Sequence, residues 1–299
     1  MTKSTNISGN IPGLTITATP IGNLADMSQR AIESLAEADI VACEDTRTTK
    51  KLLHLLGLKS HGQLVSYHDH IDEATRHRLI HAMQNKKSVT LVADAGTPLI
   101  SDPGYRLVVA CHAANLPITA IPGPSALLAG LVISGLPTDR FYFAGFLPTP
   151  ASKRHAALLD LLAIPATTIV YEACNRLPKT LAEIAEIAPS RLVWVGRELT
   201  KKFEETWRGE AQTLADTFAR QPPPKGEAVL IIAPPPPAPP LSDEVLMEQL
   251  TAAHAKGLSP SMAARHVYIQ LKTQIKGQSK ISKSRLYRLA LTLKQKEHA

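Results

Sequence analysis

Residues 91–104, LVADAGTPLISDPG, combine residue types that point to a ligand site. The segment begins as an apolar, β-branched run typical of a buried strand, and the run then stops abruptly. The next eleven residues hold two glycines, two prolines, two aspartates, a threonine and a serine. This composition predicts a sharply bent loop at the carboxyl end of a strand, where open α/β sheets bind ligands. A turn with capping aspartates explains any one of these residues, whereas the whole run favours a ligand loop.

Strands that alternate with helices over residues 14–135 predict a parallel sheet around this loop. Carboxyl ends of parallel strands lie at one edge of a sheet, so the loops that follow them are expected to converge on one pocket. Four such loops carry polar or Gly/Pro-rich sequences: residues 20–23, 44–47, 94–102 and 122–125.

The remainder of the chain predicts two further parts. Strands and helices alternate again up to residue 232, and the proline-rich stretch 233–240 is typical of an extended spacer. Three predicted helices follow. We therefore expect an α/β protein with an N-terminal α/β domain at 12–140, a C-terminal α/β domain at 141–235 and a helical appendix at 242–299.

The net charge of +7 is concentrated at the end of the 299-residue chain. Residues 1–241 hold 23 Lys and Arg against 22 Asp and Glu, whereas residues 242–299 hold 10 against 4. A nearly neutral body with a basic end favours an anionic partner, most plausibly nucleic acid. A solvated helical face is the alternative explanation for the charge.

Composition and cysteine usage are those of an ordinary globular protein. The chain is 44% hydrophobic and 20% charged, and it contains no apolar run long enough for a membrane span. We expect a cytoplasmic protein in which Cys43, Cys111 and Cys174 are buried free thiols, because they form no CxxC or zinc-like pattern.

Several common sites are excluded by the sequence itself. No GxGxxG follows the first strand and no GxxxxGK[ST] occurs, so neither a Rossmann dinucleotide site nor a P-loop is predicted. Leu127 replaces the second glycine that a nucleophile elbow after Gly123 requires. No HExxH or similar cluster occurs, and His68 and His70 are more typical of exposed residues beside a strand end, so no metal site is predicted.

Seven motifs together resemble one protein family. They are TPIGNL (19–24), EDTR (44–47), ADAGTPLISDPG (93–104), PGPSA (122–126), GFLP (145–148), YEACNR (171–176) and GREL (196–199). In order and spacing they resemble the tetrapyrrole-methylase superfamily, within it the branch that methylates small-subunit ribosomal RNA. The resemblance covers about residues 12–235, and the basic end resembles the helical C-terminal domain of that branch.

The resemblance implies two α/β domains with S-adenosylmethionine in the cleft between them, a homodimer, and 2′-O-methylation of a cytidine in small-subunit ribosomal RNA. It implies cofactor contacts from both halves of the chain. These are Ile21, Gly22, Asn23, Ala95, Gly96, Thr97, Pro98, Ile100, Ser125 and Ala126 in the first half, and Phe146, Leu147, Ala173, Asn175, Arg197 and Ala228 in the second. Many superfamily members carry Gly-Asp-Pro where this chain has Gly-Thr-Pro, and Asp94 and Asp102 are the alternative carboxylates for the cofactor.

A ribose hydroxyl is a weak acid, so its methylation benefits from a nearby base or from a cation that stabilises the developing alkoxide. Glu44, Asp45 and Glu198 are candidate bases, and Arg47 and Arg197 are candidate cations. A helix N-terminus with an acidic first turn and an i,i+3 ion pair, between Glu44 and Arg47, is the alternative for residues 44–47.

Two other functions remain open at this stage. One is a methyltransferase of the same superfamily that acts on a small tetrapyrrole, and the other is a non-enzymatic RNA-binding assembly factor. The basic end of the chain favours RNA, for which Lys50, Lys51, Lys201 and Lys202 are further candidate contacts.

Overall fold

The structure is a computed structural model that describes residues 11–58, 62–69, 73–237, 241–274 and 282–296. Contacts divide the chain into two compact units. The first comprises residues 1–162 with 166–233, and the second comprises 163–165 with 234–299. His70 lies outside the described residues. Both α/β parts fall in the first unit, so the boundaries between the three expected domains stay predictions.

The first sheet has five strands, all parallel, in the order β3-β2-β4-β1-β5. This confirms the parallel sheet expected from the alternating pattern. The strands are β1 (Gly13–Thr17), β2 (Ile40–Cys43), β3 (Gln63–Ser66), β4 (Ser88–Val92) and β5 (Ile118–Ile121). The helices between and after them are α1 (Gln29–Glu37), α2 (Thr46–Leu55), α3 (Glu73–Gln84), α4 (Tyr105–Ala113) and α5 (Ala126–Ile133).

Strand β4 is central because both of its faces are covered. Leu91 packs into a core with Leu79 and Leu107, and Val92 packs into a second core with Leu35. All five of its residues are buried, which is why its sequence is continuously apolar or β-branched rather than alternating.

The second sheet is mixed and has the order β6-β7-β10-β8-β9. Only β6 and β7 run parallel, and the other neighbours are antiparallel. Its strands are β6 (Phe141–Phe146), β7 (Thr167–Ala173), β8 (Leu192–Arg197), β9 (Glu205–Glu210) and β10 (Glu227–Ile232). The helices α6 (Ala151–Leu162), α7 (Leu177–Ile187) and α8 (Ala211–Ala219) accompany it.

Helix α5 joins the two sheets into one core. Leu127 and Leu131 pack with Trp194 and Ile231 of the second sheet. The fit is close, because a Cβ added at Gly130 would lie 3.1 Å from the Trp194 ring. The carboxyl edge of the first sheet is thereby held against the second sheet.

The second unit consists of α9 (Asp243–His254), α10 (Pro260–Gln274) and α11 (Lys283–Lys296), which confirms the three expected helices. Leu246, Leu250, Val267 and Leu286 form its own buried core. Arg285 joins the first and last helices through Asp243, at 2.6 Å.

All three cysteines are buried and free, as expected. Within the described ranges, none of the helices combines the length and apolarity needed to cross a membrane.

Candidate active site

A cleft of about 330 Å³ lies where the loops of the first sheet meet the second sheet. Loops after β1, β2 and β4, together with the start of α5, form its first wall. Strands β6, β7, β8 and β10 and the loop after β8 form its second wall. The lining residues are Ile21, Glu44, Asp94, Ala95, Gly96, Thr97, Ile100, Ser101, Asp102, Ser125 and Ala126, then Phe146, Tyr171, Gly196, Glu198, Leu199, Lys201, Glu227, Ala228 and Val229.

Backbone hydrogen bonds tie the loops of the first wall together. Thr19 and Gly96 exchange two bonds, at 2.9 and 3.0 Å, which join the loop after β1 to the loop after β4. The Thr97 hydroxyl donates to the carbonyl of Pro124 at 3.0 Å. The Asp45 amide donates to Asp94 at 3.1 Å. All four polar loops expected at this edge are therefore connected.

Residues 94–104 include backbone conformations that residues other than glycine seldom adopt. Leu99 and Ser101 have φ of 72° and 68°, in the left-handed region. Strained positions of this kind persist only where surrounding contacts fix them. Asp69 supplies one such contact, since its carboxylate accepts the Gly104 amide at 3.0 Å and the hydroxyl of the fully buried Tyr67 at 3.0 Å.

The second wall is built around Glu198. Its carboxylate accepts from the Lys201 ammonium at 2.9 Å and from the Glu227 amide at 3.2 Å. Glu198 and Thr200 have φ of 51° and 64°. The turn packs closely on the first wall, because a Cβ added at Gly22 would lie 2.7 Å from the Thr200 hydroxyl.

Tyr171, on β7 of the second wall, makes a hydrogen bond to the first wall. Its hydroxyl accepts from the Leu127 amide at 3.2 Å, at the start of α5. Its ring makes edge-to-face contacts with Phe143 and Phe146, at 4.8 and 5.6 Å between centroids. Burial raises the pKa of Tyr171, so the hydroxyl stays neutral.

The cleft carries an excess of negative charge. Five carboxylates line it, those of Glu44, Asp94, Asp102, Glu198 and Glu227, against one basic lining residue, Lys201. Burial, followed by repulsion from Glu44, Asp94 and Glu227, raises the pKa of Asp102 to about 7. Burial and the neighbouring Asp94 also raise the pKa of Glu44. This arrangement favours a cationic ligand.

Glu198 and Asp45 behave differently from these groups. Although burial acts to raise it, the pKa of Glu198 is lowered by the hydrogen bonds from Lys201 and from the Glu227 amide. The side chain of Arg47 lowers the pKa of Asp45 to about 2. Neither carboxylate is therefore well suited to accept a proton near neutral pH.

Thirteen of the cofactor and catalytic candidates named from the sequence line the cleft and nine do not. Asp45 caps α2 by accepting the Arg47 amide at 2.8 Å, and it pairs with the Arg47 side chain, which is 89% exposed. This resembles the alternative considered for residues 44–47 in part: Asp45 is the N-cap, but the first turn of α2 holds no acidic residue and the ion pair joins Arg47 to Asp45 rather than to Glu44. Arg197 points to Glu205, at 2.7 Å. Asn23 caps a short 3-10 helix through the Ala25 amide.

The roles of the individual residues stay predictions. Those that line the cleft are Ile21, Glu44, Asp94, Ala95, Gly96, Thr97, Ile100, Asp102, Ser125, Ala126, Phe146, Glu198 and Ala228. Those outside the lining are Gly22, Asn23, Asp45, Arg47, Pro98, Leu147, Ala173, Asn175 and Arg197.

Sequence reasoning did not assign seven lining residues to the site: Ser101, Tyr171, Gly196, Leu199, Lys201, Glu227 and Val229. Tyr171 and Gly196 belong to motifs that were recognised, so the signal was present but was assigned to their neighbours. Glu227 begins β10, and it reaches the cleft because β10 pairs with β7 and β8, which are distant in sequence.

Comparison with known proteins defines the class first. The family model of the tetrapyrrole (corrin/porphyrin) methylases matches residues 13–215, and the chain belongs to this family. Solved structures share the fold at low identity. A cobalt precorrin-4 methyltransferase has a TM-score of 0.54 at 17% identity over 74% of this chain and 95% of its own. Diphthine synthase has a TM-score of 0.54 at 16% identity over 74% and 89%.

Curated relatives narrow the comparison within this family. A protein of Mesorhizobium japonicum named "Ribosomal RNA small subunit methyltransferase I" is 49% identical over 72% of this chain and 73% of its own. A protein of the same name from Synechocystis is 43% identical over 94% of this chain and 98% of its own. The second similarity extends through the helical unit.

Proposed function

We propose that this chain is an S-adenosylmethionine-dependent methyltransferase that modifies the 2′-oxygen of a cytidine in small-subunit ribosomal RNA. The main support for this proposal is the similarity to the Synechocystis protein named "Ribosomal RNA small subunit methyltransferase I", which spans 94% of the chain. The ribosomal substrate also supports action in the cytoplasm.

The residues of the cleft fit this cofactor. S-adenosylmethionine carries a sulfonium and an ammonium, which suit the acidic lining, and no phosphate, which agrees with the missing phosphate motifs. Gly96 leaves a space that a side chain would fill, since an added Cβ would lie 3.3 Å from Ile21. The bound cofactor supplies an activated methyl group. Gly96, Thr97, Ser125 and Ala228 would hold it through bent backbone and small side chains.

Glu44 is the proton acceptor that we assign to the ribose hydroxyl. It lines the cleft at the end of β2, and its raised pKa makes it a stronger base than the paired Glu198. Lys201 is the lining cation that can stabilise negative charge on the ribose oxygen. Positioning of the two reacting groups supplies much of the remaining acceleration.

Basic residues on exposed surfaces would hold the RNA backbone. In the helical unit Lys256, Arg265, Lys283 and Arg288 are exposed, and in the first unit Lys50, Lys51 and Lys202 are exposed. Beside Lys202, Phe203 is 66% exposed on the turn that supplies Lys201 to the cleft. This turn offers a charged and aromatic edge for a nucleotide.

A transfer assay tests the proposal. The protein is mixed with tritium-labelled S-adenosylmethionine and small ribosomal subunits that lack the modification, and label is followed into RNA and mapped to the 2′-oxygen. Cofactor binding without label in RNA would contradict the proposal and favour an assembly factor. Label in a tetrapyrrole instead of RNA would favour the small-molecule alternative. A chain ending after residue 241 should bind cofactor normally and lose transfer to RNA.

A homodimer is part of the same proposal. Helix α5 packs one side on the second sheet, yet its other side is also apolar, with Leu128, Val132 and Ile133 between 48% and 71% exposed. The edge strand β6 exposes Phe141 and Tyr142 as well. Exposed apolar surface of this extent is typical of an interface.

Val132→Asp should convert the dimer to a monomer in sedimentation equilibrium, because it places a charge in the apolar contact. Leu55→Asp, at a comparably exposed leucine on α2, is the control and should leave the mass unchanged. A wild-type monomer at all accessible concentrations would contradict the dimer.

A further inference from the structure

The acidic groups of the cleft come from separate elements that the fold brings together. Glu44 follows β2, Asp94 and Asp102 lie in the loop after β4, and Glu227 begins β10 on the opposite wall. The fifth lining carboxylate, Glu198, is neutralised by Lys201 at 2.9 Å. Four carboxylates therefore remain without a cation among the described lining residues.

A metal ion does not explain this cluster. Among the described residues, no group of three or more His, Cys, Asp or Glu side chains has an arrangement that could hold one. The cluster is instead spread around a cleft large enough for an organic ligand. The negative charge of the cluster is thus available to an organic cation.

We propose that Glu44, Asp94, Asp102 and Glu227 select the positively charged methyl donor over its neutral-sulfur product, S-adenosylhomocysteine, and that Asp102 gives up a proton when the cation binds. This inference rests on the proposed function and deepens it. It assigns to the cluster a role in exchanging product for fresh cofactor.

The electrostatics of the cleft explain why Asp102 is the carboxylate that responds to a bound cation. Burial and the charges of Glu44, Asp94 and Glu227 hold the pKa of Asp102 at about 7, so this carboxyl is partly protonated near neutral pH. A positive charge in the cleft offsets that repulsion and lowers the pKa of Asp102, and the proton leaves. By linkage, the affinity for the cation rises with pH below about 7 and levels off above it.

Methyl transfer removes this counter-charge. The ribose oxygen forms a bond to the methyl carbon as the carbon–sulfur bond breaks, the electron pair stays on sulfur, and the hydroxyl proton passes to Glu44. The ligand then lacks the sulfonium charge, so Asp102 takes up a proton again from solvent and the product lacks that part of the charge attraction that held the donor.

Calorimetric titration of the full chain with each ligand tests the inference between about pH 5.5 and about pH 7, where the amino groups of both ligands stay protonated. S-adenosylmethionine affinity should rise by up to about tenfold per pH unit, with proton release visible as a difference between buffers of unlike ionisation enthalpy. S-adenosylhomocysteine affinity should change by less than about threefold.

Asp102→Asn should remove most of this pH dependence and weaken donor binding about tenfold near pH 7, while product binding changes far less. Asp160→Asn, which removes an exposed carboxylate on α6 outside the cleft lining, is the matched control and should behave as wild type. Because the buffer comparison uses wild-type protein, it stands even if the variant folds poorly.

The outcomes separate the two proposals. Equal pH dependence for the two ligands, or no proton release on donor binding, would overturn charge selection and leave the proposed function intact. Failure of the wild-type protein to bind either ligand would overturn both.

Discussion

The turn at residues 198–204 and the loop at residues 94–104 face the same cleft, and each holds two non-glycine residues in left-handed backbone. The loop contains two glycines and two prolines, whereas the turn contains neither residue type. The loop is bent by its own composition, with Asp69 fixing its end. The turn is bent by Glu198, whose carboxylate accepts from a strand 29 residues away in sequence.

One wall of the cleft is therefore shaped largely by its own sequence, and the other is shaped by its neighbours. The close approach of Gly22 to Thr200 makes the turn depend on the first wall as well. Strain at cleft residues is common where a site must be preorganised, and here it is fixed by two independent means. Substitutions can therefore disturb one wall and leave the other in place.

The largest effect is expected from Gly96→Val, which acts on the self-shaped loop. Gly96 has φ of 79°, and an added Cβ would lie 3.3 Å from Ile21. Left-handed backbone costs a non-glycine residue about 1–2 kcal/mol, and the extra methyl groups enter the cleft, so cofactor affinity should fall about a hundredfold by calorimetry.

Gly57→Val is the matched control for that variant. Gly57 has φ of 67° but an added Cβ would meet nothing within 4 Å. The control should lose stability without losing cofactor affinity. Unchanged binding in Gly96→Val would show that the loop is only a turn.

A smaller effect is expected from Gly22→Ala, which acts on the neighbour-shaped turn. The new methyl group would collide with the side chains of Lys201 and Thr200, and would lie 3.1 Å from the Leu199 carbonyl. The turn must move, so cofactor affinity should fall about tenfold. Amide exchange should quicken in residues 198–204 and stay unchanged in residues 94–104.

Gly209→Ala provides the comparison for Gly22→Ala, because its Cβ would make an ordinary contact at 3.7 Å with Leu214. It should leave both measurements as in wild type. Faster exchange in both walls of the Gly22 variant would mean that the walls are not separable.

The sequence predicts correctly those parts of the structure that are determined by local residue patterns. The five parallel strands, the three terminal helices and the first-wall loops follow from β-branched runs, helical spacing and Gly/Pro/Asp turns. Strand β9 was missed because it is an edge strand with four of six residues exposed, so its sequence of Glu, Thr, Trp, Arg and Gly has no buried face to reveal it.

The second wall could not be predicted from local sequence pattern, because strand pairing between distant segments builds it. Lys201 follows β8 and Glu227 begins β10, and the pairing of β10 with β7 and β8 brings together residues that no spacing rule joins. Conversely, Asp45 looked catalytic in the sequence, and the structure gives it a helix cap and an ion pair. Capping and catalysis use the same residue types, so only geometry separates them.

The smallest effect is expected from Asp102→Asn on the stability of the cofactor-free protein. Because the folded pKa of Asp102 is about 7, well above its usual value of 3.8, the folded state holds the proton more tightly than the unfolded state does. The wild-type protein therefore loses stability as pH rises from about 4 through about 7, where the carboxylate must ionise among Glu44, Asp94 and Glu227. Asparagine carries no such charge.

The variant should come closest to the wild-type melting temperature near pH 4 and exceed it by roughly 2–4 °C near pH 8, the effect remaining modest because solvent screens a partly exposed carboxyl. Differential scanning calorimetry at the two pH values measures this. An advantage of the same size at both values would show that the carboxylate is not under repulsion. Together with weaker donor binding, the predicted gain would mean that the first wall keeps a destabilising charge because the cationic donor offsets it.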